Sequence, residues 1–214
     1  MNVFDNYAVA SGYDNYYETD FGRKVDFLEK RAMSELIKDI PRNDMLELGC
    51  GTGHWTEYFV EQGFNVIATD SSKAMLNIAK NKQINADFIT SDAQNLPFNN
   101  NTYSVIASVT MLEFTEDQES AIQEMYRVLK HEGWLILGCL NSKSVLGIRK
   151  EKDEIFKNSK LLDYEFINSK LELFGQPVFN FSVYLTKDGE FHDYKNYKAK
   201  IEPVFFAVKV KKTK

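Results

Sequence analysis

The sequence predicts an α/β protein with a mainly parallel sheet and helices on both of its faces. Short apolar runs alternate with segments of helical periodicity along most of the chain, which is the pattern of parallel strands joined by crossover helices. A glycine-rich loop at residues 49–53 lies between one apolar run and a helix-like segment. An acidic residue, first Asp70 and then Asp92, follows directly after each of the next two strand-like runs.

The stretch LELGCGTG, residues 46–53, predicts a ligand-binding turn. Leu46 and Leu48 belong to a buried-strand run that the glycines interrupt. Glycine lets a loop turn sharply and brings its backbone close to a ligand. A helix is predicted over residues 54–62 and ends at Gly63. A strand, a glycine loop and a helix N-terminus in this order are typical of a nucleotide-binding turn.

The glycine spacing separates this turn from the commoner nucleotide sites. The dinucleotide fingerprint G-x-G-x-x-G/A needs glycine or alanine at position 54 or 56, where this sequence has His54 and Thr56. No Walker-type G-x-x-x-x-G-K-S/T stands here either. The pattern E-x-G-x-G-x-G, with Glu47 as its acid, instead resembles the first motif of class I S-adenosylmethionine-dependent methyltransferases of the type 11 group. This group includes the ubiquinone and menaquinone biosynthesis C-methyltransferases and many small-molecule methyltransferases.

The resemblance implies a Rossmann-like class I methyltransferase fold with a mainly parallel seven-stranded sheet and an antiparallel last strand. It extends by motif over residues 10–142 and by topology beyond them. It also implies an EC 2.1.1 enzyme that moves a methyl group from S-adenosylmethionine to a small-molecule acceptor by direct in-line transfer and releases S-adenosylhomocysteine. Two alternatives stay open: an NAD-dependent oxidoreductase, which would share the turn and Asp70, and a non-catalytic S-adenosylmethionine-binding protein.

The predicted cofactor site is built on successive strand ends. In nucleotide-binding βαβ units an acid roughly 20 residues past the glycine loop binds the ribose hydroxyls, and Asp70 stands at that distance. By resemblance, Asp92 and the backbone of Ala93 hold the adenine amino group, with Met75 nearby. Asp70 as a helix cap and Met75 as plain core are the alternatives. The predicted cofactor residues are Tyr16, Glu47, Gly49, Cys50, Gly51, Gly53, Asp70, Ser71, Met75, Asp92, Ala93 and Thr110.

Residues 1–22 are dense in aromatic side chains. Tyr13, Tyr16 and Tyr17 are spaced i, i+3 and i+4, so they share one face if the segment is helical. They either pack as a structural arm or close over the cofactor as a lid. The lid is plausible chemically because aromatic faces attract a cation, and the methyl-donating sulfonium is one. The pattern is similar to the N-terminal arm of many small-molecule methyltransferases.

No dedicated catalytic group stands out in the sequence. Residues 110–114, TMLEF, follow a buried strand and by resemblance face the transferred methyl; they are not the N/D-P-P-aromatic tetrad of adenine or glutamine amino-methyltransferases. No Pro-Cys nucleophile appears there. Glu113 is a candidate general base if an apolar pocket raises its pKa, and a solvent-facing side chain is the alternative. Tyr17 and His192, which precedes Asp193 in a polar loop, are the other candidates.

Local signals predict where several helices begin. An amphipathic helix is predicted over residues 22–39. Ser71 or Ser72 is expected to cap the helix that follows the second strand. Thr115 with Gln118 predicts a capping box for a later long helix. One methyltransferase domain is expected over residues 1–214, divided into an aromatic arm and helix (1–40), a cofactor-binding core (41–142), a variable cover segment (143–177) and the last strands (178–214).

Composition limits the function further. The 214 residues carry a net charge of −5, which argues against a broad nucleic-acid footprint. Neither a basic leader nor a run of about 18 apolar residues is found. Cys50, Cys139 and three scattered histidines indicate neither disulfides nor a metal site. We therefore expect a cytoplasmic protein without a metal, a nucleic-acid partner or membrane insertion, either monomeric or homodimeric, that acts on a small-molecule acceptor.

Overall fold

The computed structural model describes residues 3–192 and 201–214, in which seven strands and eight α-helices are found. The strands are β1 (Asp44–Leu48), β2 (Asn65–Asp70), β3 (Asp87–Thr90), β4 (Tyr103–Val109), β5 (Leu129–Leu140), β6 (Val178–Tyr184) and β7 (Pro203–Lys211). The helices are α1 (Tyr7–Gly12), α2 (Asn15–Glu18), α3 (Asp20–Ile37), α4 (His54–Glu61), α5 (Lys73–Asn81), α6 (Gln118–Val128), α7 (Val145–Arg149) and α8 (Tyr164–Leu171). Short 3-10 helices lie at Val3–Asp5, Leu112–Phe114 and Lys150–Lys152.

The strands form one sheet in the order β3-β2-β1-β4-β5-β7-β6. Strands β1 to β5 pair in parallel, and β7 is antiparallel to both of its neighbours, β5 and β6. The predicted mainly parallel seven-stranded sheet with an antiparallel last strand is therefore confirmed. The strand order reverses between β1 and β4, and open α/β sheets bind their ligands at such a reversal, beyond the carboxyl ends of the strands.

Both faces of the sheet are covered, as the sequence predicts. Along β1, Met45 packs into the layer that contains α3, α4 and α5, whereas Leu46 and Leu48 pack into the layer of α6 and α8. Successive strand residues point to opposite faces, so an unbroken apolar run fits a strand with helices on both sides. The segment predicted as a variable cover, residues 143–177, contributes α8 to the second layer, where Ile167 and Leu171 are fully buried.

The first residues and capping residues of three helices can be compared with those predicted from the sequence. Thr19 caps α3, which begins at Asp20, two residues before the predicted start, and Ser72 rather than Ser71 caps α5. The capping box predicted at Thr115 and Gln118 is wrong. Asp117 caps α6 instead, and the Thr115 hydroxyl donates to a backbone carbonyl of the preceding 3-10 turn. The reason is physical: the short turn before α6 already uses the hydroxyl that the capping box needs.

Candidate functional site

A cavity of about 380 Å³ opens at the carboxyl ends of β1, β2 and β4. Its volume lies within the range of small-molecule sites, roughly 300–1,000 Å³. Residues 49–52, 69–71, 91–94, 109–111 and 114–116 line it together with Phe4, Tyr13, Tyr17, His54, Trp55 and Met75. The glycine loop, the acidic strand ends and the aromatic arm therefore meet at the reversal of strand order.

Hydrogen bonds from backbone N–H groups of the glycine loop to the end of β2 hold the loop in place. The Gly49 N–H donates to the Thr69 carbonyl at 2.7 Å, and the Gly51 N–H donates to Asp70 Oδ2 at 2.8 Å. Both glycines have positive φ, +72° and +55°, a region that L side chains rarely adopt. A Cβ at Gly49 would lie 2.1 Å from Met111 Cγ, whereas a Cβ at Gly51 would meet no atom within 4 Å. Gly51 thus leaves one side of the loop open for a ligand to approach.

Asp70 is held between the glycine loop and the start of α5. Its Oδ1 accepts the Ser72 N–H, and its Oδ2 accepts the Gly51 N–H, both at 2.8 Å. Burial raises the pKa of Asp70, although these hydrogen bonds oppose the rise. A carboxylate has about four acceptor positions, so the side chain keeps acceptor capacity for hydroxyl groups in the cavity. Its neighbour Ser71 also lines the cavity.

Two predicted cofactor residues lie beneath the loop, outside the cavity lining. Glu47 is fully buried on β1, and its Oε2 accepts the hydroxyl hydrogen of Thr56 at 2.6 Å. Burial raises its pKa to about 8. Gly53 begins α4 with φ of +87°, where a Cβ would come within 2.8 Å of Ile84 Cδ1. Both residues therefore shape the loop from below.

The other predicted cofactor residues reach the cavity. Cys50, Met75, Asp92, Ala93 and Thr110 all line it. Asp92 Oδ1 accepts the N–H of residue 94 and so forms a tight turn after β3. Thr110 has φ of +50°, which is costly for a β-branched residue and is often found at functional sites. This turn directs the chain after β4 along the cavity wall.

In the N-terminal arm, the structure brings Tyr13 and Tyr17 to the cavity and leaves Tyr16 outside. The condition under which the three tyrosines would share one face, a single helix through all of them, is not met, because α1 ends at Gly12 and a separate helix, α2, begins at Asn15. Tyr16 is 44% exposed and touches the edge of the Tyr17 ring.

Phe4 is a cavity residue that the sequence analysis did not identify. Its ring packs edge-to-face on Phe114 with centroids 4.8 Å apart, and its carbonyl accepts the Ser72 hydroxyl at 2.7 Å. An aromatic residue among many in the arm gives no signal that would have distinguished it. Phe4 therefore contacts both sides of the cavity: Ser72, at the start of α5, and Phe114, in the turn after β4.

Tyr17, one of the candidate catalytic residues, stacks on His54 with centroids 3.7 Å apart and an interplanar angle of 7°. His54 Nε2 lies 2.7 Å from Asp26 Oδ1, and Lys30 Nζ lies 3.0 Å from the other oxygen. Burial favours a higher pKa for Asp26, but His54 and Lys30 hold it below its usual value. Burial is also the main reason that the pKa of Tyr17 is well above its usual value. The stack therefore fixes the Tyr17 ring against α4.

Glu113 is buried, and the solvent-facing interpretation is wrong. Its side chain is 1% exposed because the 3-10 turn that carries it packs against β5. Oε1 accepts the Leu140 N–H at 2.6 Å, and Oε2 has no hydrogen-bond partner among the described residues. Burial raises its pKa to about 7. Glu113 does not line the cavity, and neither does His192, whose N–H donates to the Tyr184 carbonyl. Asp193 lies outside the described residues.

In residues 3–192 and 201–214, no three His, Cys, Asp or Glu side chains come together as a metal site. None of the helices in these ranges combines the length and apolar character needed to span a bilayer.

The amino-acid sequence is similar to that of known proteins. Residues 46–137 match the family described as a methyltransferase domain. An uncharacterised protein of Methanocaldococcus jannaschii is 31% identical over 180 residues, which cover 82% of this chain and 81% of that protein. The demethylmenaquinone methyltransferase of Renibacterium salmoninarum is 31% identical over 108 residues, 50% of this chain and 46% of the enzyme.

Two solved structures share the fold. An S-adenosylmethionine-dependent methyltransferase of Thermotoga maritima, described as a possible histamine N-methyltransferase, has a TM-score of 0.78 over 96% of this chain and 97% of its own, at 21% identity. A putative methyltransferase of Haloferax volcanii, in complex with the Trm112 methyltransferase activator, has a TM-score of 0.74 over 100% and 99%, at 14% identity. At these identities the likeness extends to the fold alone.

Proposed function

Because the chain belongs to the S-adenosylmethionine-dependent methyltransferases, we propose that it transfers the methyl group of S-adenosylmethionine directly to a small-molecule acceptor. The observation that supports this most strongly is the cavity in which the glycine loop, Asp70 and Asp92 meet the aromatic arm. The family sets aside the NAD-dependent alternative. A non-catalytic binding protein remains the competing function, and a turnover measurement separates the two.

The residues of the cavity fit the cofactor of this family. Asp70 is proposed to accept the two ribose hydroxyls, because the backbone holds its carboxylate rigidly at the end of β2. The turn at Asp92 and Ala93, together with Met75 in the same cavity lining, is proposed to hold the adenine through polar and apolar contacts. The open side of Gly51 admits the close backbone approach that this cofactor requires.

Direct methyl transfer depends on aligning the two reactants and excluding water from them, more than on a dedicated acid or base. When bound, the cofactor supplies a methyl group on a positively charged sulfur. Tyr13 and Tyr17 line the cavity, and their rings touch each other edge-to-face; aromatic faces attract a cation. Holding two reactants in line supplies roughly 7–11 kcal/mol of the barrier reduction. Phe4 and Phe114, which pack edge-to-face and line the same cavity, are proposed to keep water from the reacting groups.

A small-molecule acceptor is supported by the way the arm crosses the cavity. The hydrogen bond from Ser72 to the Phe4 carbonyl and the contact of Phe4 with Phe114 bridge its two sides. A large substrate such as a folded protein or a duplex would have to displace this bridge. A compact acceptor can be enclosed beneath it.

Calorimetry with S-adenosylhomocysteine tests the cofactor site. The wild-type protein should bind it, and Asp70→Ala should weaken binding by at least about tenfold, since a buried polar recognition partner is lost. Asp87→Ala is the matched control, because Asp87 is an exposed acid at the opposite end of the neighbouring strand, β3. Absence of binding by the wild type, or equal binding by both variants, contradicts the proposal. Methyl transfer to any member of a metabolite panel excludes the non-catalytic alternative.

A further inference from the structure

Building on the proposed function, we propose that His54, held in place by Asp26 and Tyr17, binds the carboxylate at the amino-acid end of S-adenosylmethionine. The donor carries adenosine at one end and an α-amino and an α-carboxylate group at the other. In the proposed function, Asp70 and Asp92 serve the adenosine alone. The amino-acid end therefore still needs a partner in the cavity.

His54 is the cavity residue that can meet a carboxylate with a positive charge. The acids of the lining are Asp70, Asp92 and Glu116, and no described lysine or arginine side chain lines the cavity. Acids accept the hydrogens of hydroxyl and ammonium groups, but they repel a carboxylate. Among the described lining residues, only His54 therefore offers the donor's carboxylate a cation.

Three bases of the arm and its neighbouring helices are engaged outside the cavity. Arg23, Lys30 and Lys82 each form an ion pair with an acid of the arm or of α3. None of the three lines the cavity. Their charges are therefore already neutralised by the protein itself, and they leave the carboxylate to the histidine.

The ring of His54 is fixed on two sides and accessible on a third. Nε2 lies 2.7 Å from Asp26 Oδ1, and the ring stacks on Tyr17 with centroids 3.7 Å apart. The side chains of His54 and Asp26 are each 19% exposed. Nδ1 makes no hydrogen bond to the described residues and is not one of their buried unpaired atoms, so a ligand in the cavity can reach it.

A row of ring contacts separates His54 from the proposed ribose site. Phe4 accepts the hydroxyl hydrogen of Ser72, which lies beside that site. Its ring packs edge-to-face on Tyr13, Tyr13 packs on Tyr17, and Tyr17 stacks on His54. All four rings line the cavity. A donor that is bound at its ribose and extends beneath this row brings its amino-acid end to His54.

A carboxylate at Nδ1 completes the hydrogen bonding of His54. Asp26 accepts a hydrogen from Nε2, and the carboxylate of the donor accepts one from Nδ1. Both ring nitrogens then donate, which is the charged form of histidine. Hydrogen bonds between ionised groups are about twice as strong as those between neutral groups. Because the chain that carries the sulfur is then anchored at both ends, His54 also helps to set the position of the methyl group.

Three ligands that differ at one end test the proposal in titration calorimetry with the full chain. S-adenosylhomocysteine has both amino-acid groups, its decarboxylated analogue lacks only the carboxylate, and 5′-methylthioadenosine lacks the whole amino-acid end. The wild type should bind S-adenosylhomocysteine at least about tenfold more tightly than the decarboxylated analogue. Equal affinities for these two ligands overturn the proposal, and the cofactor site stands. If none of the three ligands binds, the proposed function itself fails.

Variants assign this preference to His54. His54→Phe keeps a ring that can stack on Tyr17 and removes both nitrogens. It should bind S-adenosylhomocysteine at least about tenfold more weakly than the wild type does, with unchanged affinity for the decarboxylated analogue and unchanged far-ultraviolet circular dichroism. His131→Gln, at a histidine 67% exposed on β5, is the matched control and should keep the preference of the wild type.

The decarboxylated analogue separates carboxylate binding from other roles of His54. An equal loss of affinity for this analogue and for S-adenosylhomocysteine in His54→Phe would assign the ring to the α-amino group or to the fold, and would overturn the proposal. Asp26→Asn tests the positioning of the ring without changing it. This variant should also reduce the preference for the carboxylate and leave the affinity for 5′-methylthioadenosine unchanged; a wild-type preference would contradict the role of Asp26.

Discussion

Gly51→Ala should weaken cofactor binding much more than it weakens the fold. In the free protein the added Cβ meets no atom within 4 Å, so its cost is that of an alanine at φ of +55°. A left-handed alanine costs about 1–2 kcal/mol. For a chain of this size that lowers Tm by about 2–8 °C. With the cofactor bound, the same methyl group occupies the open side of the loop, and we expect Kd for S-adenosylhomocysteine to rise at least about tenfold.

Gly189→Ala is the matched control for this prediction. Gly189 has φ of +85°, an added Cβ there also meets no atom within 4 Å, and it lies outside the cavity lining in the turn after Thr186. Scanning calorimetry should give similar losses of Tm for the two variants. Titration calorimetry should give wild-type affinity for Gly189→Ala alone. Equal affinity in both variants would refute the claim that the open side of Gly51 is where the cofactor approaches.

Three other predictions concern the arm and the buried acid beneath the loop. In titration calorimetry, Tyr17→Ala should weaken the binding of S-adenosylmethionine severalfold and that of S-adenosylhomocysteine less, because only the first ligand carries a cation at its sulfur. A cation near an aromatic face gains about 0.5–2 kcal/mol. Tyr16→Ala should leave both affinities unchanged. Phe4→Ala should increase the dissociation rate of S-adenosylhomocysteine in stopped-flow fluorescence, whereas Phe27→Ala, at a side chain 63% exposed on α3, should not. Glu47 has a folded pKa raised to about 8, so its contribution to stability is present near pH 4 and is lost as the pH rises toward about 8. The free energy of unfolding of the wild type should therefore fall relative to that of Glu47→Gln between about pH 5 and pH 8, by up to roughly 4 kcal/mol. Urea denaturation of both proteins at the two pH values measures this, and a difference in free energy that is the same at about pH 5 and pH 8 would contradict the prediction.

The parts of the site that the sequence predicted well depend on short-range spacing. A glycine loop needs positive φ within a few residues, and an acid at the end of the next strand follows from the length of one βα unit. The positions of Gly51 and Asp70 at the cavity could therefore be read from the sequence. The parallel character of the sheet followed from the alternation of strands and helices, and the antiparallel last strand followed from the resemblance.

The parts that the sequence did not predict depend on long-range packing or on a break in a helix. Tyr16 was selected in the arm because one continuous helix would have aligned it with Tyr13 and Tyr17, and the end of α1 at Gly12 removes that alignment. The burial of Glu113 depends on how one 3-10 turn packs against β5, which residue spacing does not encode. For the same reason, the helical periodicity of residues 22–39 identified α3 but not the buried acid Glu29.

Glu47 and Glu113 are both buried, and their carboxyl groups are satisfied to different extents. Thr56 donates a hydrogen bond to Glu47, which explains its burial by the tie it makes between β1 and α4. Glu113 Oε1 accepts the Leu140 N–H, whereas its Oε2 has no hydrogen-bond partner in the described part of the chain. Because a buried polar atom without a partner is costly, the hydrogen bond that ties the turn after β4 to β5 at Leu140 is made against the cost of the second oxygen.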